Sequence, residues 1–450
     1  MNQTLSLLPT IDKRLLNQTK PFTMSMWIGA ILLSAAVFFN SFSITLIGLE
    51  KGAQFSVQYT VIIRLLLCAG CGLYGLFYVR KTVKEFFRFP GAWSLLLGLW
   101  ALVTVPFASN IPYTATACFA IFCIILFVPA LIINLGYRRV MFSILAGLLI
   151  YCIGSWVLYF IWPEIGRYAT EPSRLGNSSN ELGLQISLAV ATILSLKIAG
   201  YLSRGTMLFL LGFFCISAYS TGAKSAMVCV MIVISYFLFR KVKIPAKVFT
   251  AFGVIIVISL ISLVYFSGLV ELNSQTILKS LTRSGDVEEM YTFTGRTDIW
   301  SFAIDKVFES PWVGYGYGGS RYALTEFSNH AYGENDLHHA HNLLLNTILC
   351  VGLFGGVILV AMLLTQLGKL LTSPSIFPDL ILIVVLIIGL TEPVLFGPMP
   401  RGSTIIWLIA LFWRQLDKFL QPIDALPKEI RGAPMIISTP GPNYQYQPLK

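Results

Sequence analysis

Charge is what this chain has least of. Lysine, arginine, aspartate and glutamate make up only 12% of its 450 residues, against 56% hydrophobic residues; soluble domains usually carry about 25% charge. With a mean hydropathy of +0.75, the composition excludes an ordinary soluble domain and points to a polytopic membrane protein. Short strands alternating polar with apolar residues are missing too, which argues against a membrane barrel. Histidine is scarce, and all four, His330, His338, His339 and His341, fall in one short stretch. The eight cysteines (Cys68, Cys71, Cys118, Cys123, Cys152, Cys215, Cys229, Cys350) all lie in apolar runs, so no disulfide framework is expected. Cys68 and Cys71 form a C-x-x-C pair that reads as small packing residues rather than as a zinc or redox motif. No short apolar run with a small-residue cleavage site precedes the first long one, so no cleaved signal peptide is expected.

What the chain has in quantity is apolar runs of about twenty residues, long enough to cross a hydrocarbon core of about 30 Å as helices. They fall at 26–48, 57–79, 91–108, 113–136, 140–162, 180–200, 205–221, 224–240, 247–267, 342–367, 378–398 and 403–420, about twelve spans in all. The expected fold class is therefore all-α, a membrane bundle with one large polar loop, 268–341, between the ninth and tenth spans. Residues 1–25 precede the bundle, 26–420 form it together with the loop, and the proline-rich 421–450 reads as a disordered tail. The net charge of +11 suggests nucleic acid until its positions are read. Basic residues concentrate in alternate short loops, at Arg80, Lys81, Lys84 and Arg88, at Arg138 and Arg139, and at Arg240, Lys241, Lys243 and Lys247. That is the positive-inside pattern. No nucleic-acid partner is expected, both termini are placed in the cytoplasm, and the 268–341 loop is placed outside.

Acids outnumber bases in that loop, so an anion site there must be built from a few aimed cations. Residues 297–309 read as a helix, because Ile299, Phe302, Ala303 and Val307 recur at one-face spacing. Arg296 stands at its N-terminus, where backbone N–H groups and a guanidinium can share one phosphate. After Pro311, the glycines 314, 316, 318 and 319 with Tyr315 and Tyr317 read as a mobile aromatic turn. The histidines close the loop. A zinc site with Glu334 or Asp336 lacks the usual helical spacing, and polar histidines without a role are a second reading. The favoured reading is a general base near neutral pH, with His341 first and His338 second.

Two short outer turns add cations. Arg174 lies in a polar turn running into 176–183, where Ser179 or Asn180 can cap the next helix beside an anion; an ordinary capped turn explains the same residues. Lys224 opens the eighth span, where a cation opposes the helix dipole. It either snorkels to the interface or serves as a phosphate ligand. Inside the spans, Arg64 and Glu392, the latter beside Pro393, are out of place as charges. They read either as a functional intramembrane site or as a structural ion pair. No internal repeat supports the inverted halves of a transporter.

The segments Thr294-Gly295-Arg296-Thr297-Asp298-Ile299-Trp300, Pro311-Trp312-Val313-Gly314-Tyr315-Gly316, His341-Asn342-Leu343-Leu344-Leu345 and Gly352-Leu353-Phe354-Gly355 follow one another in and after the outer loop. As an ordered set they resemble the O-antigen ligase and polysaccharide polymerase family of bacterial inner-membrane proteins. Where that family carries Ser-Arg-Gly or a similar triplet after the short outer turn, this chain has Lys224-Ser225; lysine keeps the charge but loses the bidentate fork. The resemblance implies a fold like the GT-C-type membrane glycosyltransferases. It also implies transfer of a glycan from a polyprenyl diphosphate to an acceptor sugar hydroxyl, at the outer face of the inner membrane, with inversion and without metal or other cofactor. No Asp-x-Asp motif occurs, in keeping with that. His341 or His338 would act as base, and Arg296, Arg174 and Lys224 would hold the diphosphate. Expected partners are the lipid-linked glycan donor, a glycan or lipid-linked acceptor, membrane lipids and other polysaccharide assembly proteins. Polymerisation of surface or exopolysaccharide repeat units is the first expectation, and transfer to lipid A-core or to protein the alternative. A transporter or flippase using Arg64 and Glu392 is the alternative of another class.

Overall fold

The computed structural model describes residues 23–41, 53–168, 171–176, 178–241, 248, 296–327, 339–395 and 400–416. Nearly all of the expected ninth span, the first part of the outer loop, His330, His338, Glu334, Asp336 and the C-terminal tail lie outside the described residues.

Helices dominate, as the composition requires. In chain order they are α1 (Met24–Ser41), α2 (Ala53–Phe77), α3 (Val79–Phe86), α4 (Ala92–Val103), α5 (Ile111–Ile161), α6 (Pro163–Gly166), α7 (Ser179–Ile198), α8 (Arg204–Thr221), α9 (Lys224–Lys241), α10 (Arg296–Glu309), α11 (Ser320–Ala323), α12 (Leu343–Thr372), α13 (Ile376–Gly389) and α14 (Gly402–Trp413). Among the described residues the only strands are β1 (Arg167–Tyr168) and β2 (Glu171–Leu175), an antiparallel pair. By length and composition, 4 of the described helices can cross a membrane (α1, α5, α7 and α12), or up to 5 if the bent pair α2 and α3 is one span. Two of the expected spans, 113–136 and 140–162, are the two limbs of α5, which is broken at Gly136, while α4, α13 and α14 are apolar but shorter.

The core is centred on α7 and α14, where every residue over 182–196 and Gly402–Trp413 is buried. The rim helices α1, α2 and α8 turn Trp27, Ile31, Leu66, Phe77 and Phe209 outward. An apolar rim around an apolar core suits a bundle solvated by lipid, whose helices associate by close packing.

Two helices break at glycine, α5 at Gly136 (φ 70°) and α12 at Gly352 (φ 69°). The second break is filled by the outer loop. Leu353 N–H donates to Pro311 O at 2.7 Å and Tyr315 N–H to Leu349 O at 3.0 Å, while Trp100 Nε1–H donates to Val351 O at 2.7 Å. Backbone groups freed inside an apolar bundle are thereby paired again. A Cβ at Gly352 would meet Trp312 O at 2.0 Å, and one at Gly314 would meet Leu349 O at 2.6 Å, so only glycine lets loop and helix approach this closely. The expected mobile aromatic turn is instead a packed wedge. Tyr317 is 2% exposed, and Gly316 lies against Ala108 and Thr114.

Candidate active site

The outer-loop helix forms where the apolar spacing places it, with Arg296 the first of its described residues. Its buried residues are Ile299 and Ala303, and Trp300 Nε1–H donates to Ala340 O at 2.9 Å. From the other side, Asn346 Oδ1 accepts from Ala340 N–H at 3.1 Å, and Asn342 caps α12 by accepting from Leu345 N–H at 3.0 Å. The segment carrying His339 and His341 is therefore gripped between α10 and the start of α12. His341 has φ 47°, a left-handed conformation uncommon outside glycine and tolerated where surrounding contacts enforce it.

These elements converge on Glu392. The apolar run 378–398 suggests a span with this carboxylate inside it, but α13 ends at Gly389. Glu392 occupies the turn beyond, its N–H bonded to Ile388 O at 2.8 Å. The run measures apolar content, whereas the helix stops where Pro393 would deny it a backbone donor. Glu392 is 5% exposed, and its Oε1 accepts three N–H groups: Asn180 Nδ2 at 2.8 Å, Arg296 Nη2 at 3.0 Å and His341 Nδ1 at 3.1 Å. His339 Nε2 lies 3.9 Å from Oε2, its ring edge-on to that of His341 with centroids 4.3 Å apart.

Burial alone would raise the Glu392 carboxyl. The hydrogen bond from His341 and the positive charge of Arg296 help to outweigh it and hold the group well below the usual carboxylate range. Glu392 is thus an anion at neutral pH. His339 is pushed the other way, down to about 3, chiefly because burial disfavours its charged form, and its Nδ1 is buried without a hydrogen-bond partner. With Nδ1 facing the carboxylate, His341 is held as the Nδ1–H tautomer, which leaves a lone pair on Nε2.

The remaining expected residues fall into two groups. Arg174, on β2, lies over Gly222 at the turn between α8 and α9, so that a Cβ there would meet its Nε at 2.8 Å; Lys224 is the exposed first residue of α9. Helix α7 ties this pair to Glu392. Its Gly183 packs on Ala223 and Ala226, while Asn180, one turn earlier, reaches the carboxylate. Asn180 does not cap α7 as expected, nor does Ser179; Ser178 stands at the cap position without a side-chain bond.

Arg64 is not the partner of Glu392. It donates from Nε to Phe39 O at 3.0 Å, and its charged neighbours are Glu181 and Arg401. Glu181 accepts from Arg401 Nη1 at 2.8 Å and from Gln185 Nε2 at 2.8 Å. Arg401, whose field also reaches His339, is a site cation that sequence reasoning passed over. Its signal is its place between Pro400 and Gly402, immediately before an apolar run.

One atom from each of His339, His341 and Glu392 lies within 4.8 Å of the others, close enough to share a metal ion. The zinc reading named Glu334 and Asp336, which lie outside the described residues. Glu392 supplies the acid in this group, but its Oε1 already carries the Arg296 guanidinium. A divalent cation there would sit against a fixed positive charge, so the donor set suits an ion poorly.

Residues 206–360 match the family described as O-antigen ligase. The matched stretch runs from the start of α8 past the break in α12 and contains Lys224, Arg296, His339 and His341. A second similarity is to the "ComP-specific O-oligosaccharyltransferase" of Acinetobacter baylyi (strain ATCC 33305 / BD413 / ADP1), 26% identical over 221 residues. That match takes in 46% of this chain and 38% of the relative's length.

Proposed function

We propose, starting from an O-antigen ligase family for this chain, that it is a membrane glycosyltransferase moving a glycan from a polyprenyl diphosphate to an acceptor hydroxyl. The observation that carries this reading is the shared oxygen: Glu392 Oε1 takes both Arg296 and His341, joining a phosphate-binding cation to a base. The acceptor oxygen attacks the anomeric carbon, the bond from that carbon to the diphosphate oxygen breaks, and the configuration inverts. His341 Nε2 takes the hydroxyl proton, and Glu392, bound to Nδ1–H, steadies the imidazolium. Negative charge grows on the departing lipid diphosphate, where Arg296, Arg174 and Lys224 stabilise it without a metal. The positive-inside pattern supports a site on the outer face of the inner membrane. The names of the matching family and of the relative favour transfer of an assembled glycan onto an acceptor over polymerisation of repeat units.

Cells carrying His341→Ala, Arg296→Ala or Glu392→Gln should lose glycan transfer by at least about a hundredfold, with the protein still present in the membrane. Accumulation of full-length lipid-linked glycan supports transfer to an acceptor, and accumulation of single lipid-linked units supports polymerisation. Normal product in the His341→Ala cells sinks the mechanism and returns the transporter reading.

A further inference from the structure

Away from the candidate active site, a cavity of about 790 Å³ lies between α1 and α5 at the break between its two limbs. Its walls are apolar, with Trp27, Ile31, Phe38 and Phe39 from α1 facing Phe142 and Ile150 from α5. Its mouth is made by the break at Gly136, which turns the chain so that Arg138 and Arg139 follow at the rim. This end of the bundle is the one opposite the active site, because Tyr137 packs edge-on to Trp413, the last residue of α14, with centroids 5.0 Å apart. Arg401, at the other end of that helix, lies beside the catalytic cluster.

We propose that this groove is a binding site for an anionic diacyl phospholipid, acyl chains along α1 and α5 and the headgroup phosphate at Arg138 and Arg139. Charge complementarity selects the occupant. Arg138 is exposed, lies 5.6 Å from the Tyr201 ring, and has no ion pair among the described residues. Basic pockets between helices on the cytoplasmic side take anionic headgroups, and the positive-inside pattern puts this turn on that side. Residues 1–22 are a poor occupant, since Lys13, Arg14 and Lys20 against Asp12 would bring positive charge to two arginines. The volume lies within the range of about 300–1,000 Å³ found for small-ligand pockets, and it is entered from the leaflet that the active site does not face.

The full chain, purified in detergent and offered phosphatidylglycerol or phosphatidylcholine, is read by native mass spectrometry for retained lipid. Phosphatidylglycerol should be retained at least about tenfold better than phosphatidylcholine. That preference should vanish in Arg138→Gln/Arg139→Gln and survive in Arg138→Lys/Arg139→Lys. Ala146→Phe, which fills the groove and spares the arginines, should abolish retention while melting in phosphatidylcholine like the parent. Equal retention of the two lipids by the unmodified chain overturns the proposal without reference to any variant. So does retention that survives both the glutamine and the phenylalanine changes, or displacement of phosphatidylglycerol by equimolar polyprenyl phosphate.

Discussion

Glu392 is the residue on which the candidate site converges, and its contacts were not legible from its own surroundings. Beside Pro393 in an apolar run it reads as a charge buried in a span, and Arg64 is the natural partner to offer it. The true partners, Asn180, Arg296 and His341, come from distant stretches of chain, and pairing across helices leaves no periodic trace. Arg296 and His341 stand out as candidates because residue type and place agree, an arginine where a helix starts and a histidine where the loop returns to the membrane, and both meet Glu392. The half-buried neighbour His339 gives a prediction of its own. Its folded pKa of about 3 lies below the ordinary 6.5, so the unfolded chain takes up a proton that the folded chain refuses as pH falls from 6.5 toward 3. The contribution is nil above 6.5 and costs about 1 kcal/mol for each pH unit below it. The depressed Glu392 carboxyl adds a loss in the same direction only below the usual carboxylate range. Melting temperatures of the purified protein should therefore fall on acidification from pH 6.5, and His339→Asn should flatten that slope. An unchanged slope would mean that His339 is protonated in the folded state.

At the level of elements, the outer-loop helix covers the predicted residues 297–309 because its apolar face is intact. The turn after it was misread as mobile because glycine marks close approach as well as freedom, and the sequence does not say which. Here the glycines admit the loop into the break of α12, and that contact sets the position of α10 and hence of Arg296. Gly352→Ala should cost at least about 2 kcal/mol, since it forces a side chain into a left-handed backbone and against Trp312 O. The proposed glycan transfer per folded molecule should fall as well. A variant that melts normally and transfers glycan normally would show the wedge to be dispensable for the site.

For the molecule as a whole, hydropathy identified a membrane bundle, but the bounds of its helices are set by breaks and caps that composition does not record, as where α13 ends at Gly389 inside the apolar run 378–398. The end opposite the candidate active site is fastened by a buried cluster. Asp379, 0% exposed, pairs with Arg414 and accepts from Tyr236 OH at 2.7 Å. Arg414 also donates to Gln366 Oε1 at 3.1 Å and to Ser373 O at 2.6 Å. Asp379→Asn strands a buried guanidinium and should destabilise the bundle by about 3 kcal/mol, whereas Asp379→Leu with Arg414→Met should recover much of the loss. Because the cluster sits a helix length from Arg401, about 18 Å for twelve residues, the proposed glycan transfer per folded molecule should be unchanged in both. Thermal melts and transfer assays on the same preparations separate the two effects.

The wedge in α12 also bears on reagents. The described part of the outer loop, residues 296–327, has no seat of its own, because Pro311, Trp312, Val313 and Tyr315 rest on backbone groups of another helix. Synthesised or expressed by itself, this stretch would lose the contacts that hold α10 and its arginine in place. Antibodies raised against such a peptide would recognise a different object from the one on the cell, and screening for blockers of this site should therefore start from the whole protein in lipid.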